Sequence, residues 1–425
     1  MLGMKKVVTA SLAAVAVGFG ALTVTVPSHA ATEPQQIPGQ IIDKFRDSGT
    51  AAGLLRQNGL SDGAGIGSTG AHLIKVPAGK ESQLIESLSR NPAVEYAEPD
   101  QLVTAAVDEP DPDYFPRQYA LHNEGQSFTN TNDTVTVAGG KADADVDAVE
   151  AWEVTTGKDI KVAVLDTGVA TDNDDIAANV DLHANFSTAA TGEDNYGHGT
   201  HVAGIIAATR DTEGVSGVCP DCSILDGKVL NDAGSGSTSS IVNGINWAVE
   251  NGAKVINMSL GQRVSSRALE AAVNNAWNKG VVIVAAAGNA GTQAPIYPGA
   301  YPNVIAVAAT DNNDAKASFS TYGKWVDVAA PGVNVYSTFP KHPFEIGRQN
   351  GREMGYDVAS GTSMASPVVA GVAALVWSNT PAGTENKSVR TIVQSTADTI
   401  TGTGTSWEHG RVNACKAVAG DCDQP

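Results

Sequence analysis

The chain has 425 residues, enough for more than one domain, and 42% of them are hydrophobic, enough for a large core. A formal net charge of −19 argues against nucleic acid as a partner, because phosphate binding needs clustered Lys and Arg. The same acidity suits an extracellular protein kept soluble by charge, and it raises the local concentration of cations such as calcium.

Residues 1–30 carry the marks of a secretory signal peptide. Lys5 and Lys6 give the positive start, residues 7–26 the apolar segment, and Ser28-His29-Ala30 the small-x-small site at which a signal peptidase cuts. The glycines, Pro27 and the immediate cleavage site argue against a stable membrane anchor, and no later stretch reaches spanning length without charges. A secreted, extracellular protein is the expectation. Residues 31–106 read as a small separate α+β unit. Stretches 40–45 and 72–76 alternate like half-buried strands, 81–88 has helical spacing, and 91–100 reads as a turn and a final strand.

Residues 107–140 form a polar connector into the larger unit, 107–425, with a Thr- and Gly-rich surface loop from 130 to 140. Ala148-Val149-Glu150-Ala151-Trp152 reads as its first helix. Apolar strands at 162–166, 223–230, 253–260, 281–287, 304–310 and 326–330 then alternate with helical stretches at 198–207, 239–251, 266–279 and 363–379. Such alternation predicts an α/β fold, a mostly parallel central sheet with helices on both faces, preceded by the small α+β unit.

Chemistry concentrates in three places. Ser360-Gly361-Thr362-Ser363-Met364-Ala365-Ser366-Pro367 runs into a long apolar helix, which sets Ser363 in its first turn. Unpaired N–H groups and the positive end of the helix dipole favour negative charge there, so the serine could attack a carbonyl while the helix end steadies the oxyanion. A plain helix cap would also explain a serine at this point. Asp166 ends the apolar run 160–165, where open α/β sheets place their sites. His198 stands between two glycines in Gly197-His198-Gly199-Thr200-His201-Val202-Ala203-Gly204, which lets backbone and substrate come close. His201 reads as helix packing, or as a support behind the reacting groups.

These stretches resemble the subtilisin-like serine protease family. Asp166-Thr167-Gly168, the run from His198 to Gly204 and the run from Gly361 to Pro367 are that family's three catalytic motifs, complete and in its order. Two further stretches, 285–291 and 318–332, resemble its thermitase-like members. The resemblance implies a serine endopeptidase with Asp166, His198 and Ser363 as triad and Asn289 as oxyanion donor. It implies that 31–106 is an inhibitory propeptide acting on its own chain, and that the partners are protein and peptide substrates of a monomeric enzyme. Ser259, Leu260 and Gly261 would form one edge of the substrate cleft. Ala286, Ala287, Gly288 and Ile296 would line the primary pocket, an apolar slot suited to aromatic or large aliphatic residues.

Calcium is the implied structural cofactor. Asp175 and Asp211 with the carbonyls of Thr209, Glu213 and Val215 are candidates for a first site, with Asp111 and Asp113 competing to supply an early acid. Gly299, Tyr301, Val304 and Asp327 are candidates for a weaker second site. Stretch 339–356 is longer than its counterpart in short subtilisins, and its charge run favours a solvated excursion over a wall of the cleft. Four cysteines allow three disulfide connectivities, of which two local pairs, Cys219–Cys222 and Cys415–Cys422, are favoured. A catalytically silent relative would show damage in the triad or Asn289, and none is found. An esterase of another fold would want Gly-x-Ser-x-Gly, which the sequence around Ser363 lacks.

Overall fold

Apolar runs bounded by turns become strands, and alternation along each strand decides which layer a side chain feeds. The computed structural model describes residues 36–46, 48–61, 63–65, 71–101 and 114–422. The signal peptide expected at 1–30, Asp111 and Asp113 lie outside them. The chain divides into two units, Met1–Ala106 and Val107–Pro425.

The first unit is an antiparallel sheet in the order β2-β3-β1-β4, with two helices. Its elements are β1 (Gln36–Phe45), α1 (Ser48–Gln57), β2 (Ala64–Gly65), β3 (Ala71–Lys75), α2 (Glu81–Ser89) and β4 (Val94–Gln101). Ile41 and Phe45 pack with Leu55, Ile74, Leu88 and Val94 in a small core. Asp43, between them on the same face of β1, is buried with them.

The second unit's described residues open with a single 3-10 turn, Phe115–Arg117, followed by a short hairpin, β5 (Phe128–Thr129) and β6 (Thr136–Val137), and helix α3 (Ala148–Trp152). It continues as β7 (Lys161–Asp166), α4 (Asp174–Ala177), β8 (Val180–Asn185), α5 (His198–Ala207), β9 (Ser223–Lys228), α6 (Thr238–Glu250), β10 (Val255–Met258) and α7 (Arg267–Asn278). Then come β11 (Val282–Ala286), β12 (Ile305–Thr310), β13 (Val328–Pro331), β14 (Val335–Thr338), α8 (Glu345–Asn350), β15 (Tyr356–Ala359), α9 (Thr362–Asn379), α10 (Asn386–Ser395), β16 (Gly410–Arg411) and α11 (Ala414–Ala419).

One sheet dominates, ordered β16-β13-β12-β11-β10-β7-β9-β8, and every neighbouring pair in it is parallel. Val162 and Val164 of β7, Ile224 of β9 and Val284 of β11 pack on the layer that holds α5 and α9. The intervening Ala163, Leu165, Leu225 and Ile283 pack on α6 and α7. Both faces are covered, which is why the strands read as continuous apolar runs. The carboxyl end of β7 and the start of α9 are thereby fixed by core on either side. Cys219 is bonded to Cys222 and Cys415 to Cys422. Among the described residues no helix is long and apolar enough to cross a membrane.

The stretch 339–356 corrects the expectation of a solvated excursion. It leaves β14, carries α8 and returns as β15, which pairs antiparallel with β14. Phe339 and Phe344 are 0% and 1% exposed. The charges at Lys341, Arg348 and Glu353 hide two aromatic anchors.

Candidate active site

Asp166 is the last residue of β7, and its Oδ1 lies 2.7 Å from His198 Nδ1. The Thr167 N–H donates to the same oxygen at 2.8 Å. Thirty-two positions separate Asp166 from His198 along the chain, and a second acid closes that gap in space. Asp194, fully buried, accepts the N–H groups of Gly197 at 2.8 Å and Thr200 at 2.9 Å and the hydroxyls of Thr200 at 2.6 Å and Thr167 at 2.8 Å. The Thr167 hydroxyl in turn accepts the Gly199 N–H at 2.9 Å. The turn before α5 is therefore tied to the end of β7. Burial alone would lower the His198 pKa, but the charge and hydrogen bond of Asp166, with Asp194 behind, outweigh it and raise the value above the ordinary one.

Ser363 sits in the first turn of α9, where the sequence sets it. Its carbonyl would ordinarily accept an N–H from four residues on, but that residue is Pro367, which has none. The Ser259 hydroxyl fills the gap, donating to Ser363 O at 2.7 Å. Asn257 and Ser366 extend the chain of bonds, with Asn257 Nδ2 donating to Ser259 Oγ at 3.1 Å and Ser366 Oγ to Asn257 Oδ1 at 2.7 Å. The Ser363 hydroxyl donates to Ser259 O at 3.2 Å.

Asn289 is held by its oxygen. Its Oδ1 accepts the Thr362 N–H at 2.8 Å and the Thr362 hydroxyl at 3.0 Å. That leaves Nδ2 as the outward donor. A Cβ placed on Gly361 would lie 3.3 Å from Asn289 Nδ2 and 3.5 Å from Ser363 N, so both nitrogens border one small space that glycine leaves open.

Two cavities flank this point and share a wall of Ser259, Leu260, Gly261 and Gln262. The first, of about 380 Å³, is lined by Tyr196, His198, Leu230, Gly234 and Tyr297. The second, of about 410 Å³, reaches Ala286, Gly288, Asn289, Ile296 and Ser363. Ile296 narrows it, its Cγ2 lying 2.4 Å from where a Cβ on Gly261 would stand and its Cγ1 3.0 Å from one on Gly288. Ala287 corrects the expected lining. It is fully buried on the other side, against Ala306, Ala308, Val326 and Trp407, because successive residues at a strand end point opposite ways.

The loop 209–215 folds round Asp175. Thr209 Oγ1 and the Val215 N–H donate to its two oxygens, each at 2.8 Å. Asp211 joins through the same Thr209 hydroxyl at 3.2 Å and accepts the Glu213 N–H at 2.8 Å. Asp175 is buried and makes no ion pair among the described residues. Burial, with Asp211 close by, raises its pKa to about 7. A Cβ on Gly214 would strike its Oδ2. A buried carboxylate with no cationic partner among the described residues, and with a second acid beside it, fits a hard divalent cation.

The second expected site is a correction. Asp327 Oδ1 takes the Arg390 guanidinium at 2.8 Å and the Gln394 amide at 2.6 Å, and its Oδ2 takes the Ala306 N–H at 2.8 Å. An arginine from α10 neutralises the acid. Gly299, Tyr301 and Val304 are thus left without a carboxylate free to join them. Sequence reasoning also missed Asp194 and Thr362. Thr362 stands within a quoted motif, but its role appears only when Asn289 arrives from 73 residues away.

An acid–imidazole pair at the carboxyl edge of a parallel sheet and a serine at the start of a buried helix are parts that a serine hydrolase uses. The chain belongs to the subtilase family, whose model matches residues 157–413. It is a serine endopeptidase, a hydrolase acting on peptide bonds. Residues 23–100 match the fervidolysin N-terminal prodomain. Thermitase of Thermoactinomyces vulgaris is 49% identical over 278 residues, covering 64% of this chain and 93% of thermitase. A thermophilic serine proteinase of a Bacillus species is 38% identical over 388 residues, covering 90% of this chain and 88% of its own. Among solved structures, a protease of Pseudoalteromonas arctica matches with a TM-score of 0.63 and 30% identity, over 73% of this chain and 99% of that one.

Proposed function

We propose that the chain is the precursor of a secreted endopeptidase, with a signal peptide at 1–30, an inhibitory prodomain at 31–106 and a peptidase domain at 107–425. Ser363 attacks the substrate carbonyl while His198 takes its proton. His198 later returns that proton to the leaving amine, and Asp166 holds the imidazole in the required tautomer and stabilises the imidazolium. Asn289 Nδ2 and the Ser363 N–H receive the charge that develops on the carbonyl oxygen. The observation that carries this reading is the double restraint on Asn289. Thr362, the residue before the nucleophile, binds its oxygen twice and so aims its nitrogen at the space beside Ser363.

Substrate lies along Ser259, Leu260 and Gly261, with a large aliphatic or aromatic residue in the slot bounded by Ala286, Gly288 and Ile296. Specificity is broad and apolar, since the slot carries no acid to select a basic residue. Asp175, Asp211 and the carbonyls of Thr209, Glu213 and Val215 would hold a structural calcium ion, which supplies stability and no step of the chemistry. The enzyme acts as a monomer, each chain carrying all the reacting groups.

The test incubates the purified precursor with a fluorophosphonate probe, beside a Ser363→Ala variant, and follows both by mass. Wild type should shed its N-terminal unit and add one label, and the variant should do neither. A wild-type protein that stays full length and unlabelled overturns the reading.

A further inference from the structure

The excursion between β14 and β15 reaches the segment that presents His198. The Glu345 N–H donates to Asn195 O at 2.9 Å, and the Ile346 N–H to Tyr196 O at 3.1 Å. Asn195 and Tyr196 lead directly into Gly197 and His198. Gly197 has φ of +97° and lies against the Phe344 ring, so close that a Cβ there would stand 2.3 Å from the ring's Cδ2. Phe344 stacks on Phe339 with centroids 4.8 Å apart, and Phe339 lies 4.7 Å from the ring of His201, on the first turn of α5. One aromatic pair thus touches the residue before His198 and the residue three after it.

The base of the excursion is anchored independently. Asn173 Nδ2 donates to Phe339 O and to Gly355 O, each at 2.9 Å. The Lys341 N–H donates to Asp172 Oδ1 at 3.0 Å, and His342 Nδ1 lies 2.7 Å from Asp172 Oδ2. A free surface loop needs neither bonds at its root nor two buried rings.

We propose that Phe344, with the first amides of α8, is a positioning element for His198, and that the excursion is a clamp on the turn that aims the imidazole at Ser363. The proposal rests on the triad reading given above. From inside, Asp194 binds the N–H groups of this turn. From outside, α8 binds its carbonyls. With both sets of backbone groups held, the turn has no slack, and His198 keeps its 2.7 Å contact with Asp166. Releasing the outer grip lets the ring drift. A misplacement of about 1 Å at a reacting group costs up to about a hundredfold in rate.

Two variants test the two grips. Phe344→Ala removes the ring. Glu345→Pro removes the N–H that reaches Asn195, together with a carboxylate that accepts from Arg348 and Gln349, a loss that Glu345→Ala reproduces alone and so controls for. Proline is tolerated at the first position of a helix, and Phe344, with φ of −129° and ψ of 161°, already has the backbone that a following proline requires. Phe344→Ala and Glu345→Pro are each expected to lower kcat by about ten- to a hundredfold and to leave KM within about threefold. Phe344→Tyr should restore kcat, and Met354→Ala, at an exposed position of the same excursion, should leave it unchanged. The low-field Nδ1 proton of His198, read by NMR, should broaden in the first two variants and stay sharp in the last two. Wild-type kcat and a sharp resonance in both Phe344→Ala and Glu345→Pro overturn the clamp while the triad stands. Activity that survives Ser363→Ala overturns the triad itself.

Discussion

At the scale of single residues, the site depends on which atom of each side chain is occupied. Asn289 could turn either end of its amide to the cleft, and Thr362 decides the matter by donating twice to the oxygen. This gives a sharper test than truncation. Asn289→Asp keeps an acceptor for Thr362, so the loop stays in place, but it puts an oxygen where the donor was. Loss of one such donor costs about 3–4 kcal/mol in subtilisin, or about 10²–10³ in kcat. Asn289→Asp should lose at least that much, since the new oxygen also repels the developing charge, while KM moves by less than about threefold. A kcat within tenfold of wild type would show that Nδ2 is not the donor.

At the scale of elements, legibility followed burial. Strands β7, β9, β10, β11 and β12 are buried on both faces, so their apolar runs are unmistakable, and α5 and α9 are buried on nearly every side. Strand β8 at the sheet edge, Val-Asp-Leu-His-Ala-Asn, has mostly exposed side chains and left no apolar signal. Helix α10 hides behind a polar sequence, although its Arg390 decides the fate of Asp327. The 339–356 stretch misled for a related reason. Two buried rings among many charges look like a charge run, and only the fold shows Phe344 under Gly197. Asp194 was one acid in a polar turn, and nothing in its own sequence says that Thr167 comes to meet it. The family was legible because the residues proposed as its triad each lie in a motif of small residues, which a reacting group needs around it.

The element scale also yields a coupling test. Gly197→Ala brings a Cβ to within 2.3 Å of the Phe344 ring and carries a left-handed backbone penalty of about 1–2 kcal/mol. Combined with Phe344→Ala, the clash disappears and the backbone penalty remains. The double variant should therefore melt higher than the sum of the single effects predicts, with a coupling of at least about 0.5 kcal/mol by thermal unfolding. Strict additivity would mean that residue 197 and ring 344 do not share a boundary.

At the scale of the whole molecule, each unit carries a buried carboxylate that its core does not neutralise, and the two have different consequences. Asp175 shares the 209–215 loop with a second acid, Asp211, so a cation can compensate it. Chelation should lower the melting temperature of the peptidase unit by about 5–10 °C, and calcium should have no such effect on an Asp175→Asn variant. Asp43 has no such loop. It lies between Ile41 and Phe45 in the core of the first unit, and neither of its oxygens makes a full hydrogen bond. Burial pushes its pKa from 3.8 to about 6, against the weaker pull of His72 opposite it on β3 and of the Lys44 backbone. The folded unit thus binds this proton more tightly than the unfolded chain does. Its contribution to stability is complete below about pH 4 and is lost as pH rises through about 6, a change of the order of 3 kcal/mol. For a small unit that must first fold and then give way, this is a large fraction of the total. The Ser363→Ala precursor, which should stay uncut, isolates the effect from the titration of His198. Amide exchange in β1 and β3, followed by mass spectrometry, should quicken about tenfold or more between pH 5 and pH 8 after correction for the intrinsic pH dependence of exchange. Adding Asp43→Asn should remove the excess and leave only the intrinsic dependence. If the excess persists without the carboxyl, another group of the first unit carries the pH response.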